Sequence, residues 1–197
     1  MNLNIFKNTN LSIGLLGGSF NPPHEGHVFI SNQIIQKFGL DFVWWLVTPC
    51  NPLKSLSSIS SFEQRMKDCQ VITKSHHRII VTDIEKRINS NRTFNSVSYI
   101  IKHFHRNHFI YILGADNLVR FHHWYRWQDI WLNIKIAIYN RNNYQYKSSH
   151  SKVATRFDGY KISRYSKFKE KDTPCWCVIN DKLINISSTQ IRQKLIL

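Results

Sequence analysis

Leu11-Ser12-Ile13-Gly14-Leu15-Leu16 runs directly into Gly17-Gly18-Ser19-Phe20-Asn21-Pro22-Pro23-His24-Glu25-Gly26-His27. The apolar run reads as a buried strand, and the residues after it as a glycine turn, a proline pair and the opening of a helix. Glycine carries no Cβ, so backbone N–H groups can come close to an anion there. A helix that starts just after Pro22 and Pro23 aims its unpaired N–H groups and positive dipole end at the same point. His24 and His27, three apart, then share one face of the first helical turn. Strand, turn and helix in this order describe a phosphate site. A second segment, Ile186-Ser187-Ser188-Thr189-Gln190-Ile191-Arg192, repeats the logic with hydroxyls at a helix start and an arginine three residues beyond Thr189. Two anion sites in one chain point to one long polyphosphate.

Working outward, Val28 to Phe38 is predicted as a helix with Val28, Ile30, Ile34, Ile35 and Phe38 as its apolar stripe, ending at Gly39. Phe42-Val43-Trp44-Trp45-Leu46-Val47 is a continuous apolar run, as a parallel strand buried on both faces requires. A polar loop from Thr48 to Ser60 contains Pro49, Pro52 and Lys54. Ser61 can cap a helix in which Phe62, Met66, Cys69 and Ile72 share a face. Further strands are predicted at Arg78–Val81, His108–Leu113, Ile134–Tyr139 and Cys175–Ile179, and helices at Thr93–Phe104 and Ser188–Leu195. Residues 141–171 are basic and lack periodicity, which reads as an irregular insertion. The alternation implies an α/β protein: a doubly wound, Rossmann-like parallel sheet flanked by helices, in a single domain. Gly114-Ala115-Asp116 then falls at the C-terminal end of a strand, where open α/β sheets place their ligands.

Composition sets the outer bounds. With 197 residues, 42% of them hydrophobic, the chain can bury a core of its own. No apolar run has the roughly 18 residues of a membrane span, and the first residues lack a signal-peptide pattern, so a cytoplasmic protein is expected. Cys50, Cys69, Cys175 and Cys177 lack the spacing of redox or zinc motifs and read as reduced thiols. The net charge of +15, from 27 Lys and Arg against 12 Asp and Glu, favours polyanionic partners. A biased genomic composition would produce the same surplus. Aromatic residues interleaved with Arg and His between Phe121 and Trp127 would let a basic protein stack nucleic-acid bases. Both phosphate motifs, however, keep every polar group that chemistry would use, so nucleic acid is not the expected partner. Self-association into a homo-oligomer stays open. His76-His77, His103, His105, His108 and His122-His123 read as solvated surface.

The two motifs suit nucleotidyl transfer better than metal binding, since neither supplies a third ligand beside His24 and His27. When the nucleophile is a phosphate it is already anionic, so no general base is needed and the protein positions reactants and neutralises charge. His24 and His27 would donate to α-phosphate oxygens. Lys54 and Arg192 would hold the β- and γ-phosphates as they leave.

These segments resemble the HxGH-type nucleotidyltransferase superfamily and, within it, the bacterial nicotinate-nucleotide adenylyltransferase family. The resemblance rests on the stretch from Gly17 to His27, Asn51-Pro52-Leu53-Lys54, Ser61-Phe62-Glu63-Gln64-Arg65-Met66, Asp83-Ile84-Glu85 and Thr93-Phe94. It continues through Gly114-Ala115-Asp116-Asn117-Leu118, Phe121-His122-His123-Trp124-Tyr125-Arg126-Trp127 and the segment from Ile186 to Arg192. The outer two motifs also resemble phosphopantetheine adenylyltransferase. What the resemblance implies is adenylyl transfer from ATP to nicotinate mononucleotide by direct in-line attack, giving the dinucleotide and pyrophosphate. The same chemistry on nicotinamide mononucleotide or phosphopantetheine is the alternative. It implies catalytic roles for His24, His27, Lys54 and Arg192, and ATP contacts at Gly17, Gly18, Ser19, Phe20, Gly26, Gly114, Asp116, Ile186, Ser187, Ser188 and Thr189. The acceptor would meet Asn21, Thr93, Trp124 and Tyr125, with Trp124 stacked on the pyridine ring and backbone N–H groups near Thr93 and Tyr125 on the carboxylate. Mg²⁺ would ride on the ATP phosphates without protein ligands. After the fifth strand the family has Arg-Pro-Gly, where this chain has Arg141-Asn142-Asn143.

Overall fold

Short runs rich in β-branched and aromatic residues become six strands: β1 (Ser12–Gly18), β2 (Phe42–Val47), β3 (Ile79–Thr82), β4 (His108–Gly114), β5 (Lys135–Tyr139) and β6 (Trp176–Ile179). They form one sheet in the order β3-β2-β1-β4-β5-β6, and every pairing is parallel. The structure is a computed structural model and describes residues 3–49, 60–140, 150–163, 168 and 170–180.

Side chains alternate across a strand, so a sheet covered on both faces needs apolar residues at every position. Trp44 and Trp45 show this directly: adjacent in β2 and both fully buried, they belong to opposite core layers. One layer receives α1 (Glu25–Phe38) and α2 (Phe62–Ile72). The other receives the short α3 (Ile84–Arg87), then α4 (Thr93–His103), α5 (Ala115–Arg120), α6 (Trp127–Asn133) and α7 (Lys152–Arg156). The expected doubly wound sheet is therefore observed.

Helix ends follow local chemistry. Gly39 adopts a left-handed conformation, φ 55°, and the Leu40 N–H reaches back to the Ile35 carbonyl at 3.0 Å, which closes α1 where the sequence predicts. The Ser61 hydroxyl accepts from the Gln64 N–H at 3.1 Å and caps α2.

Within the stretch 141–171 the expectation of irregular chain is corrected for residues 150–163. Ser151 caps α7, and Val153, Ala154 and Phe157 are buried. The Phe157 ring stacks on Trp131 at 5.2 Å, and its carbonyl accepts from the Trp176 indole at 2.7 Å. Three apolar anchors in a basic segment are too sparse to produce a periodic signal. Residues 141–149, 164–167 and 169 lie outside the described residues, as does the helix expected at 188–195.

Candidate active site

In an open sheet of this order the ligand crevice lies where the winding reverses, between β1 and β4. The β1–α1 turn and the Gly114-Ala115-Asp116 corner meet there. Gly17 is required by space, because a Cβ on it would come within 2.8 Å of the Tyr111 hydroxyl on β4. A Cβ on Gly114 would come within 2.5 Å of Asp116 Oδ1. Asp116 Oδ1 is buried and has no hydrogen-bond partner among the described residues, as expected of an acceptor kept for a ligand donor.

His24 is the N-cap of α1, in extended conformation and 6% exposed. Its backbone N–H donates to His27 Nδ1 at 3.2 Å, and its carbonyl accepts from the His27 N–H at 2.8 Å. An accepting Nδ1 places the neutral ring's proton on Nε2, which makes Nε2 of His27 a donor. The two rings lie 3.9 Å apart. Behind them a hydrogen-bond relay fixes the helix to the sheet: the Trp45 indole donates to Ser31 Oγ, and Ser31 Oγ to the His27 carbonyl, both at 2.8 Å. Phe20 takes a left-handed conformation, φ 46°, and is held in it by stacking on Trp45 at 4.7 Å. Its ring is therefore part of the core.

Of the residues predicted from sequence, Gly17, Gly18, Ser19, Phe20, Asn21, His24, Gly26 and His27 lie together in this turn and helix start, with Gly114 and Asp116 beside it at the end of β4. Thr93 opens α4, and Trp124 and Tyr125 follow α5. Phe94 and Tyr125 bring those two segments together at a ring separation of 6.0 Å. Lys54, Ile186, Ser187, Ser188, Thr189 and Arg192 lie outside the described residues.

The sequence pattern assigns Glu85 no role, yet it sits under this edge. It is 4% exposed, Ser96 Oγ donates to its Oε1 at 3.1 Å, and Oε2 has no partner among the described residues. Burial pushes its pKa up to about 7, against hydrogen bonds from Thr48 and Ser96 that favour the charged form. The neighbouring Tyr111 phenol is pushed up by burial too, partly opposed by a hydrogen bond with Thr93. Thr48, Glu85, Thr93, Ser96 and Tyr111 thus form one polar cluster, buried at Glu85, Ser96 and Tyr111 and half-buried at Thr48 and Thr93, drawn from the residue after β2 and from α3, α4 and β4. Only the appearance of Asp83-Ile84-Glu85 among the family-like segments marks it in the sequence.

At the rim, the Arg92 guanidinium covers the Tyr125 ring at 4.4 Å and the Arg126 guanidinium covers Phe94 at 4.2 Å. Phe121 is fully buried and Trp124 stacks on it at 4.7 Å. Phe121, Trp124, Tyr125 and Trp127 thus each have a ring or cation partner within the protein, while Tyr125 stays exposed. The buried thiols of Cys69 and Cys175 are pushed up to about 12 and about 11, and that of Cys177 higher still, so they stay protonated and unreactive. Among the described residues no helix is long and apolar enough to cross a membrane.

A parallel sheet with this winding and a glycine turn running into a histidine-capped helix at its switch point defines a nucleotidyltransferase. The pattern of the cytidylyltransferase-like family matches residues 15–194. A relative from Ruegeria sp. (strain TM1040), named "probable nicotinate-nucleotide adenylyltransferase", is 36% identical over 93% of this chain and 97% of its own length. One of the same name from Parvibaculum lavamentivorans is 41% identical over 74% of this chain and 72% of its own. The chain belongs to the nicotinate-nucleotide adenylyltransferase family. Its fold matches that of Plasmodium falciparum nicotinic acid mononucleotide adenylyltransferase, solved with NaAD, at TM-score 0.69 and 19% identity over 93% of this chain and 83% of that one.

Proposed function

We infer that this chain transfers the adenylyl group of ATP to nicotinate mononucleotide. A phosphate oxygen of the acceptor attacks the α-phosphorus, the bond from that phosphorus to the bridging oxygen of the β-phosphate breaks, and pyrophosphate leaves in line. No proton has to be removed from the nucleophile, so the protein's task is positioning and charge neutralisation. The observation that carries this reading is the His24–His27 pair at the mouth of α1, set beside the Gly17 close approach at the β1–β4 switch point. Family membership supports the choice of acceptor.

In this reading the α1 N–H groups and the His27 Nε2 donor hold α-phosphate oxygens whose charge grows in the transition state. Lys54 and Arg192 bind the departing phosphates, and Ile186, Ser187, Ser188 and Thr189 line the ATP side. Trp124 stacks on the pyridine ring while N–H groups near Thr93 and Tyr125 receive its carboxylate. The only carboxylate between Gly17 and His27 is the exposed Glu25, so the turn offers nitrogen donors rather than the oxygen ligands Mg²⁺ prefers. That donor set fits an ion carried by the ATP phosphates and water, where it would neutralise phosphate charge. The same reading places the enzyme in the cytoplasm.

The test is product formation with ATP and Mg²⁺ against three acceptors: nicotinate mononucleotide, nicotinamide mononucleotide and phosphopantetheine. Pyrophosphate release with strong preference for the nicotinate acceptor is expected. Preference for another acceptor would keep the chemistry and refute the substrate.

A further inference from the structure

Arg65 lies on α2, has no part in the reaction as proposed, and is 1% exposed. A buried guanidinium is costly unless its donors are satisfied. Here they go to backbone carbonyls: Nη1 to Ser19 at 2.6 Å and Thr48 at 2.7 Å, Nη2 to Pro49 at 2.7 Å, and Nε to Ser60 at 3.1 Å. Ser19 belongs to the β1–α1 turn. Thr48 and Pro49 leave β2, and Ser60 precedes α2. The Ser60 N–H in turn donates to Asn21 Oδ1 at 3.1 Å, so two residues tie the chain on both sides of α2's approach to one turn.

Each contact has a directional consequence. In a trans peptide the C=O and N–H point opposite ways. Gripping the Ser19 carbonyl therefore turns the Phe20 N–H away from the guanidinium, and it does so beside the strained φ of 46° at Phe20. Such a conformation persists only where the surroundings over-determine it; the Trp45 stack fixes its side chain, and Arg65 fixes the peptide before it. The fixed charge behind the turn also adds to the positive field that an anion meets at the start of α1.

We propose that Arg65 is a positioning residue for the nucleotide. It orients the Ser19–Phe20 peptide for phosphate binding and locks the Thr48–Pro49 and Ser60 segments to that turn, without touching the ligand itself. The proposal rests on reading the turn as a nucleotide site. Lysine at this position keeps the charge but not the planar fork that serves four carbonyls.

The experiment measures ATP affinity by calorimetry and steady-state turnover for wild type and Arg65→Lys, with Ile134→Ala as a control of comparable thermal destabilisation on the far side of the core. A displaced turn misaligns the reacting atoms, so kcat is expected to fall about 100-fold and the ATP Kd to rise about 10-fold, with the acceptor KM changing by less than about threefold. Per folded molecule, Ile134→Ala is expected to keep wild-type kcat and ATP affinity. Folded Arg65→Lys with kcat and ATP Kd within about twofold of wild type would overturn the proposal, as would equal losses in the control. Wild type that fails to bind ATP would overturn it as well. Wild type that binds ATP but forms no dinucleotide would sink the adenylyl-transfer reading instead, and the ATP affinity of Arg65→Lys would then decide the role of Arg65.

Discussion

Arg65 is 1% exposed and donates to carbonyls from three segments of chain. Arg92 and Arg126, at the rim, are exposed and lie over the rings of Tyr125 and Phe94. Arg126 also pairs with Asp129 at 2.6 Å, its side chain half exposed. A buried cation with fixed acceptors allows one arrangement, because any other leaves charge or carbonyls unsatisfied. Exposed cation–π contacts are worth only about 0.5–1 kcal/mol each, so the rim can rearrange at little cost. The inner turn, where the proposed reaction takes place, is thus rigidly specified, whereas the rim beside Thr93 and Tyr125, the proposed acceptor side, can adjust.

The largest effect should come from the inner turn. His24→Ala is expected to lower kcat by roughly 10²–10³ with the acceptor KM nearly unchanged; a variant that keeps its kcat would break the comparison at its strongest point.

Next comes Glu85, whose folded pKa is raised from 4.5 to about 7. The folded state then binds the proton more tightly than the unfolded chain does, so this stability is fully present below about 4.5 and is lost as pH rises through about 7. The shift corresponds to an order of magnitude of about 3 kcal/mol. Urea unfolding of wild type and Glu85→Gln between pH 4 and 8 reads the difference: wild type should lose stability relative to the variant across that window. Working on the difference matters because the exposed Glu63, whose pKa Lys86 lowers, acts with the opposite sign. A difference independent of pH would place Glu85 outside that polar cluster.

On the rim, Trp124→Ala should raise the KM for nicotinate mononucleotide about 10-fold through lost stacking, leaving the KM for ATP within about twofold. A parallel loss for both substrates would show that Trp124 supports the fold rather than the acceptor. Arg126→Ala is expected to be the mildest change, below about 1 kcal/mol in thermal unfolding.

The contiguous parts of the molecule were legible in the sequence. Val47 ends β2 and Gly39 ends α1 where apolar runs and a left-handed glycine say they should, and the whole turn from Gly17 to His27 could be read because its chemistry is local. β3 runs one residue past its predicted end because Thr82, polar in the sequence, is buried and donates to the Trp45 carbonyl at 3.1 Å. Arg65 and Glu85 escaped for a related reason. Their partners, Ser19 and Thr48 for one and Thr48 and Ser96 for the other, are brought to them by the winding of the sheet, and no spacing along the chain encodes that.

The central claim is that this site acts by positioning two reactants for one displacement. Its most direct test is the stereochemistry of transfer from ATP carrying a single sulfur of defined configuration on the α-phosphorus. Inversion in the dinucleotide is the predicted result. Retention would require two displacements through an adenylylated enzyme and would contradict the account.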